Sequence, residues 1–188
     1  MSNCNFYKIM DEHLSKEELF KVLCEKMIEH GYDNQKSNKV YNFCQSIYGD
    51  RKRYSGDDYV THLLNVSLLL VQMEAEESVI YAGMFCDVFR KTNVAIDELK
   101  ENLPDSVVEI LIRLKDYDIE KVGLEDEQCA VLKIAERLHN MRTIEYMEEC
   151  ERQKRAKETI AIFMPVVKKL QDDKLISELN EISINCLK

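Results

Sequence analysis

The sequence predicts an all-α protein. Five glycines and two prolines in 188 residues leave little material for the turns that join strands. No alternating run of Val, Ile and Thr bounded by turn signals appears, whereas apolar residues recur at helical spacing in several segments. At 45% hydrophobic content, a chain of this length can bury one sizeable core. We expect a bundle of about eight helices.

Ser15 with Glu18 three residues on forms a capping box that opens a helix to about residue 30, and Gly31 ends it. A second helix is expected over about 37–48, followed by a charged loop over 49–56. The third, about 58–74, sets Val60, Leu63, Leu64, Leu68 and Val71 at the spacing of a buried stripe. The fourth, about 77–91, is apolar almost all round and reads as the central core helix. Further helices follow over about 97–103, 105–115, 125–149, 152–170 and 173–187, with Pro165 kinking or ending the penultimate one. No linker, repeat or low-complexity segment is evident. Residues 1–36 are expected as an N-terminal helical extension packed on a core domain of residues 37–188.

The formal net charge of −9 argues against a nucleic-acid partner, since phosphate backbones are bound chiefly through an excess of Lys and Arg. Cys4, Cys24, Cys44, Cys86, Cys129, Cys150 and Cys186 form no C-x-x-C pair and no short-spaced set with His. Neither a zinc ribbon nor a disulfide framework is indicated, and free thiols in a reducing cytosol account for them. Asp11, Glu12 and Lys16 stand where a signal peptide needs an apolar stretch. No apolar run approaches the roughly 20 residues of a membrane span. A cytoplasmic location and no membrane partner are expected.

Four stretches between about residues 39 and 170 carry the chemistry. The first runs from Arg53 through Ser55, Gly56 and Tyr59 to His62; the second is Cys86-Asp87 followed by Arg90-Lys91-Thr92. The third is Lys133 through Glu136, His139 and Asn140 to Thr143, and the fourth runs from Arg155 through Glu158 and Thr159 to Pro165. In this order they resemble the hydrolase domain of the RelA/SpoT family, HD-type enzymes that remove pyrophosphate from the 3′ position of (p)ppGpp. The family carries His-Asp where this chain has Cys86-Asp87, Glu-Asp-Thr where it has Arg90-Lys91-Thr92, and Asp where it has Glu136. The resemblance implies an HD-domain helical bundle within residues 37–188.

Carried over position by position, the resemblance implies metal ligands at His62, Cys86, Asp87 and Glu136, a degenerate set. A thiol in place of an imidazole softens a site that suits a hard ion, and Glu136 is one methylene longer than the usual Asp. We expect no tightly bound cofactor; a divalent metal, manganese or zinc, is the alternative, since His, Cys, Asp and Glu are all zinc-competent. Cys86 read by itself is a small buried hydrophobe. An unpaired Asp87 in an apolar helix would be costly to bury, so a metal or His62 is expected to compensate it.

The family's catalytic Glu-Asp pair orients and deprotonates the attacking water, a role worth roughly 10²- to 10⁴-fold in rate for a general base. Arg90 and Lys91 occupy those positions, and neither side chain is a base at neutral pH. The resemblance further places nucleotide-binding groups at Arg53, Ser55, Asn140 and Thr143. Independently, Glu136, Asn140 and Thr143 recur at i, i+4 and i+7 on one helix face, opposite Val131, Ile134, Ala135, Leu138 and Met141. His139 is expected to be structural, Tyr59 to pack beneath the site, and Glu158 with Arg155 to hold helices together. The expected protein resembles a guanosine-3′,5′-bis(diphosphate) 3′-pyrophosphohydrolase that binds a nucleotide polyphosphate, such as ppGpp, without efficient hydrolysis. The alternative is an active metal-dependent phosphohydrolase with altered metal or nucleotide specificity.

Overall fold

Helix α1 (Lys16–Glu29) opens on the capping box: Ser15 Oγ accepts from the Glu18 amide, and the Glu18 carboxylate accepts from the Ser15 amide. Each cap satisfies an otherwise orphaned donor, worth about 1 kcal/mol. The helix ends at Gly31, whose φ of 81° lies in the left-handed region that glycine adopts without strain. The structure, a computed structural model, describes residues 14–188; Cys4, Asp11 and Glu12 lie outside that range.

The described chain continues through α2 (Ser37–Tyr48), α3 (Tyr59–Gln72), α4 (Glu77–Gly83), α5 (Val88–Lys91), α6 (Ile96–Asn102) and α7 (Asp105–Asp116). It closes with α8 (Glu127–Arg142), α9 (Glu149–Glu158), α10 (Met164–Val167) and α11 (Asp173–Asn185). Among the described residues there is no strand, only an isolated bridge between Lys52 and Asp58 that pins the charged loop. The six described cysteines are free.

Helix α3 shares the centre of the bundle with α4. Its expected apolar stripe is in fact burial almost all round, with Leu63, Leu64, Val66 and Leu70 fully enclosed. Helices α1, α4 and α8 all pack on it. Leu19, Leu23 and Met27 of α1 are buried there.

The helix expected over residues 77–91 is interrupted. The amides of Met84, Phe85, Cys86 and Val88 bond three residues back rather than four, to Tyr81, Ala82, Gly83 and Phe85. Tightening the turn advances each residue by about 120° instead of 100°, which redirects Cys86 and Asp87 before α5 begins. The Cys44 thiol donates to the Met84 carbonyl at 3.3 Å and anchors this turn to α2. Gly83 directly before the turn was the one local signal of the break, but a glycine inside an apolar helix reads equally as a close packing contact.

Gly83 lets α4 lie close against α3. A Cβ there would stand 2.7 Å from Ser67 Oγ, 2.8 Å from Leu70 Cδ1 and 3.2 Å from Ser67 Cα. Ser67 Oγ cannot swing aside freely, since it donates to the Ile80 carbonyl at 2.9 Å. Gly83→Ala gains up to about 1 kcal/mol in helix propensity, but overpacking costs about 1–3 kcal/mol and a lost buried hydrogen bond adds to it. Net destabilisation by about 1–2 kcal/mol is expected in urea unfolding, and a variant as stable as wild type would contradict this packing.

Two other boundaries differ from expectation. Helix α8 ends at Arg142 rather than near residue 149, and a short 3₁₀ turn over Ile144–Tyr146 separates it from α9. No glycine or proline marks this corner; Thr143 turns its hydroxyl back to donate to the His139 carbonyl at 3.1 Å. Pro165 does not end the helical run, which continues through α10. Residues Thr159–Phe163 widen into a π turn, and the Met164 amide bonds to the Thr159 carbonyl five residues back. Widening the ladder just before the proline makes room for its ring and for the missing amide.

Candidate functional site

The tightened turn after α4 aims Cys86 and Asp87 toward His62 of α3. One donor atom from each of these buried residues lies within 4.8 Å of the others. The ring of Tyr59 packs below, and its hydroxyl donates to Asp87 Oδ2. His62 Nδ1 lies 2.8 Å from His139 Nδ1, so one of the two rings donates to the other. Burial, then the neighbouring His139, holds His62 well below the usual histidine range. Burial, then Arg53 and Arg142, pushes His139 down to about 3. Both rings are therefore neutral near pH 7, and His139 has the structural role expected of it. His62 Nε2 has no hydrogen-bond partner and sits 3.9 Å from Asp87 Oδ2.

Arg90 completes the cluster from the solvent side. A single guanidinium nitrogen, Nη2, donates to Asp87 Oδ1 and, at 2.5 Å, to Glu136 Oε1. Lys133 donates to the other oxygen, Glu136 Oε2, at 3.0 Å. Burial would raise the Glu136 carboxyl, but Lys133 and Arg90 outweigh it and hold it below its ordinary value. Burial works against the charge on Arg90 too, yet Glu136 and Asp87 prevail and keep it protonated. Lys91, the other half of the replaced acid pair, is exposed.

These donors, so arranged, do not fit a divalent ion. Every oxygen of Asp87 and Glu136 already accepts from a protein donor. Burial, then the charges of Asp87 and Glu136, pushes the Cys86 thiol well up, so in the absence of an ion it keeps its proton. His62 Nε2 is a buried ligand nitrogen without a hydrogen-bond partner. The compensation of Asp87, expected from a metal or from His62, comes instead from Arg90 and Tyr59. Glu136 stands outside the compact group of three and joins it through Arg90.

Three of the four expected nucleotide-side residues meet. Arg53 Nη2 donates to Asn140 Oδ1 at 3.0 Å and to Thr143 Oγ1 at 3.4 Å, with its guanidinium 5.9 Å from the centre of the Tyr59 ring. Ser55 is engaged within its own turn, donating to Asp57 Oδ2 at 2.6 Å. Beside this group lies a cleft of about 360 Å³ whose lining includes Arg90, Lys133, Arg137, Asn140, Arg155 and Phe163. Glu158 does join helices, but its partner is Arg137, through bonds of 2.8 and 3.2 Å, while Arg155 lines the cleft. Sequence reasoning assigned no role to Lys133 or Arg137. The i, i+3 spacing of Lys133 and Glu136 was the available signal for the first pair; nothing local pointed to the second.

Residues 41–121 match a family model described as HD domain. A GTP pyrophosphokinase of Streptomyces antibioticus is 28% identical over 164 residues, covering 79% of this chain and 20% of that protein. The guanosine-3′,5′-bis(diphosphate) 3′-pyrophosphohydrolase of Aquifex aeolicus is 27% identical over 172 residues, covering 84% and 25%. The GTP pyrophosphokinase rsh of Brucella ovis is 32% identical over 163 residues, covering 78% and 22%. The chain thus spans a fifth to a quarter of the length of these curated relatives. A solved structure described as a metazoan ortholog of SpoT that hydrolyses ppGpp matches with a TM-score of 0.61 at 19% identity. That match covers 82% of this chain and 97% of the other, a likeness of fold. No described helix is long and apolar enough to cross a membrane. The chain carries an HD domain over residues 41–121 and is homologous to proteins of the RelA/SpoT kind.

Proposed function

We propose that this chain binds a guanosine polyphosphate of the ppGpp kind and retains it without efficient hydrolysis. Arg90 carries the reading. It stands where the family has an acid, it cannot accept a proton, and it occupies both carboxylates that a metal would need. Lys91 stands beside it as a second cation in place of an acid. Binding is supported by the meeting of Arg53, Asn140 and Thr143 next to a cleft that Lys133, Arg137 and Arg155 help to line. Arginine forks suit phosphate oxygens, and asparagine offers both a donor and an acceptor to a base or ribose. Ser55 joins this set if its turn re-forms around the ligand. The name of the Aquifex aeolicus relative, a 3′-pyrophosphohydrolase of the same nucleotide, supports the ligand class.

In the same reading, α1, the described helix of the extension expected over residues 1–36, buttresses an HD domain over residues 37–188, as the burial of Leu19, Leu23 and Met27 supports. Free cysteines support a cytoplasmic setting, and the acidic balance argues against nucleic acid as the ligand. A second reading, an active phosphohydrolase with altered metal or nucleotide preference, is favoured by the unpartnered His62 Nε2 beside Cys86 and Asp87.

Thermal melts with ppGpp, followed by chromatography of the nucleotide, separate the two readings. Under the first, a hundredfold excess over the dissociation constant stabilises the protein by about 2.7 kcal/mol, and the nucleotide is recovered intact with or without manganese or zinc. Release of pyrophosphate by the unaltered protein would establish the second. No stabilisation by ppGpp or related nucleotides would leave the cleft without its proposed ligand.

A further inference from the structure

We infer that Arg90 is a built-in substitute for the divalent cation, and that removing this one side chain opens a metal site at His62, Asp87 and Glu136. The inference goes beyond nucleotide binding and does not depend on it. One guanidinium nitrogen lies between carboxylate oxygens of two residues far apart in the chain, Asp87 and Glu136, the bridging place a metal ion takes between two carboxylate ligands. It is the same nitrogen to both, rather than a fork spread over two, so the contact is that of a point cation.

Charge balance points the same way. Asp87 and Glu136 supply two negative charges, and Arg90 and Lys133 supply two positive ones, so the cluster is neutral as it stands. A divalent ion added to it would sit within a few ångströms of the guanidinium, and that repulsion in a buried setting is large. Without Arg90 the cluster carries one net negative charge, Asp87 Oδ1 and Glu136 Oε1 lose their donor, and His62 Nε2, without a partner, lies 3.9 Å from the other Asp87 oxygen, Oδ2. His62 is also oriented through its other ring nitrogen, which bonds to His139 at 2.8 Å, the kind of outer contact that fixes a ligating imidazole. The Arg90 side chain is 55% exposed, so taking it away opens the cluster toward the cleft instead of leaving a sealed void.

The test uses the full chain, the metal ions alone and no nucleotide. Wild type, Arg90→Gln and the double variant His62→Ala with Arg90→Gln are stripped with chelator and titrated with zinc or manganese chloride. Calorimetry and thermal melts report the binding. Arg90→Gln is expected to melt below wild type in chelator, to rise in melting temperature with one equivalent of zinc or manganese, and to bind that ion at least roughly a hundredfold more tightly than wild type. The His62→Ala change should abolish the gain. If Arg90→Gln does not fold in chelator, recovery of its helical circular dichroism on adding either ion reads the same property. The inference is overturned if folded Arg90→Gln binds neither ion more tightly than wild type, if neither ion restores an unfolded variant, or if the gain survives loss of His62.

Discussion

The combined variant Cys86→His, Glu136→Asp, Arg90→Glu and Lys91→Asp is expected to release pyrophosphate from ppGpp in manganese, where the unaltered protein does not. Each change answers a contact seen at the site. Cys86→His replaces a thiol that keeps its proton with a neutral nitrogen donor. Glu136→Asp restores the carboxylate length that the resemblance to the RelA/SpoT family implies at this position. Arg90→Glu removes the cation from between the two carboxylates and restores an acid three residues past Asp87.

Together the four changes return both the ion and the base, and the base by itself is worth roughly 10²- to 10⁴-fold in rate. Reverting Arg90 and Lys91 alone should yield far less activity, because an acid pair needs a metal-bound water to act upon. The measurement is pyrophosphate release with and without chelator. A folded, manganese-loaded variant that binds ppGpp and leaves it whole would show that more than these four positions has diverged.

Arg137→Ala is expected to be the most destabilising single change at the cleft, by about 2–3 kcal/mol. Arg137 is 8% exposed, forms a bidentate pair with Glu158, and lays its guanidinium 4.1 Å from the centre of the Phe163 ring. It ties α8 to both α9 and the π turn, three elements joined by one side chain. Breaking a buried ion pair costs about 3–5 kcal/mol, but the Glu158 side chain is 40% exposed and can rehydrate, which lowers the figure. The lost cation–π contact and stem packing restore part of it. A fall in melting temperature of about 5–10 °C follows for a chain of this size. Lysine at this position should recover little, because it offers no fork for Glu158 and no flat face for Phe163. A shift below about 1 °C for Arg137→Ala would remove this side chain from the stabilising set.

Much of the helical framework was readable along the chain. The α1 cap and the span of α2 needed only the signals of Ser15, Glu18, Gly31 and the loop that follows Tyr48. Of the misplaced boundaries, Arg142 and Thr143 close α8 without glycine or proline, whereas the turn at Met84–Asp87 follows Gly83 directly, a glycine whose packing role against α3 only the fold reveals. Pro165 was noticed, but its effect was spread over the five preceding residues as a π turn.

The candidate site divides along the same line. Motif order brought His62, Cys86, Asp87 and Glu136 together as one set, and the chemistry of arginine and lysine was enough to question the acid–base step. Arg90 and Lys91 are neighbours in sequence, yet successive residues on a helix point about 100° apart. At i+3 from Asp87, Arg90 turns back over the cluster while Lys91 faces solvent. Caps, periodicity and residue chemistry act between near neighbours, so the order of residues suffices to reveal them. That Arg90 reaches Glu136, that His62 meets His139, and that Arg137 rather than Arg155 holds Glu158 depend on how α3, α5, α8 and α9 pack. Those charges and rings choose partners by distance in space, across separations that no local pattern encodes.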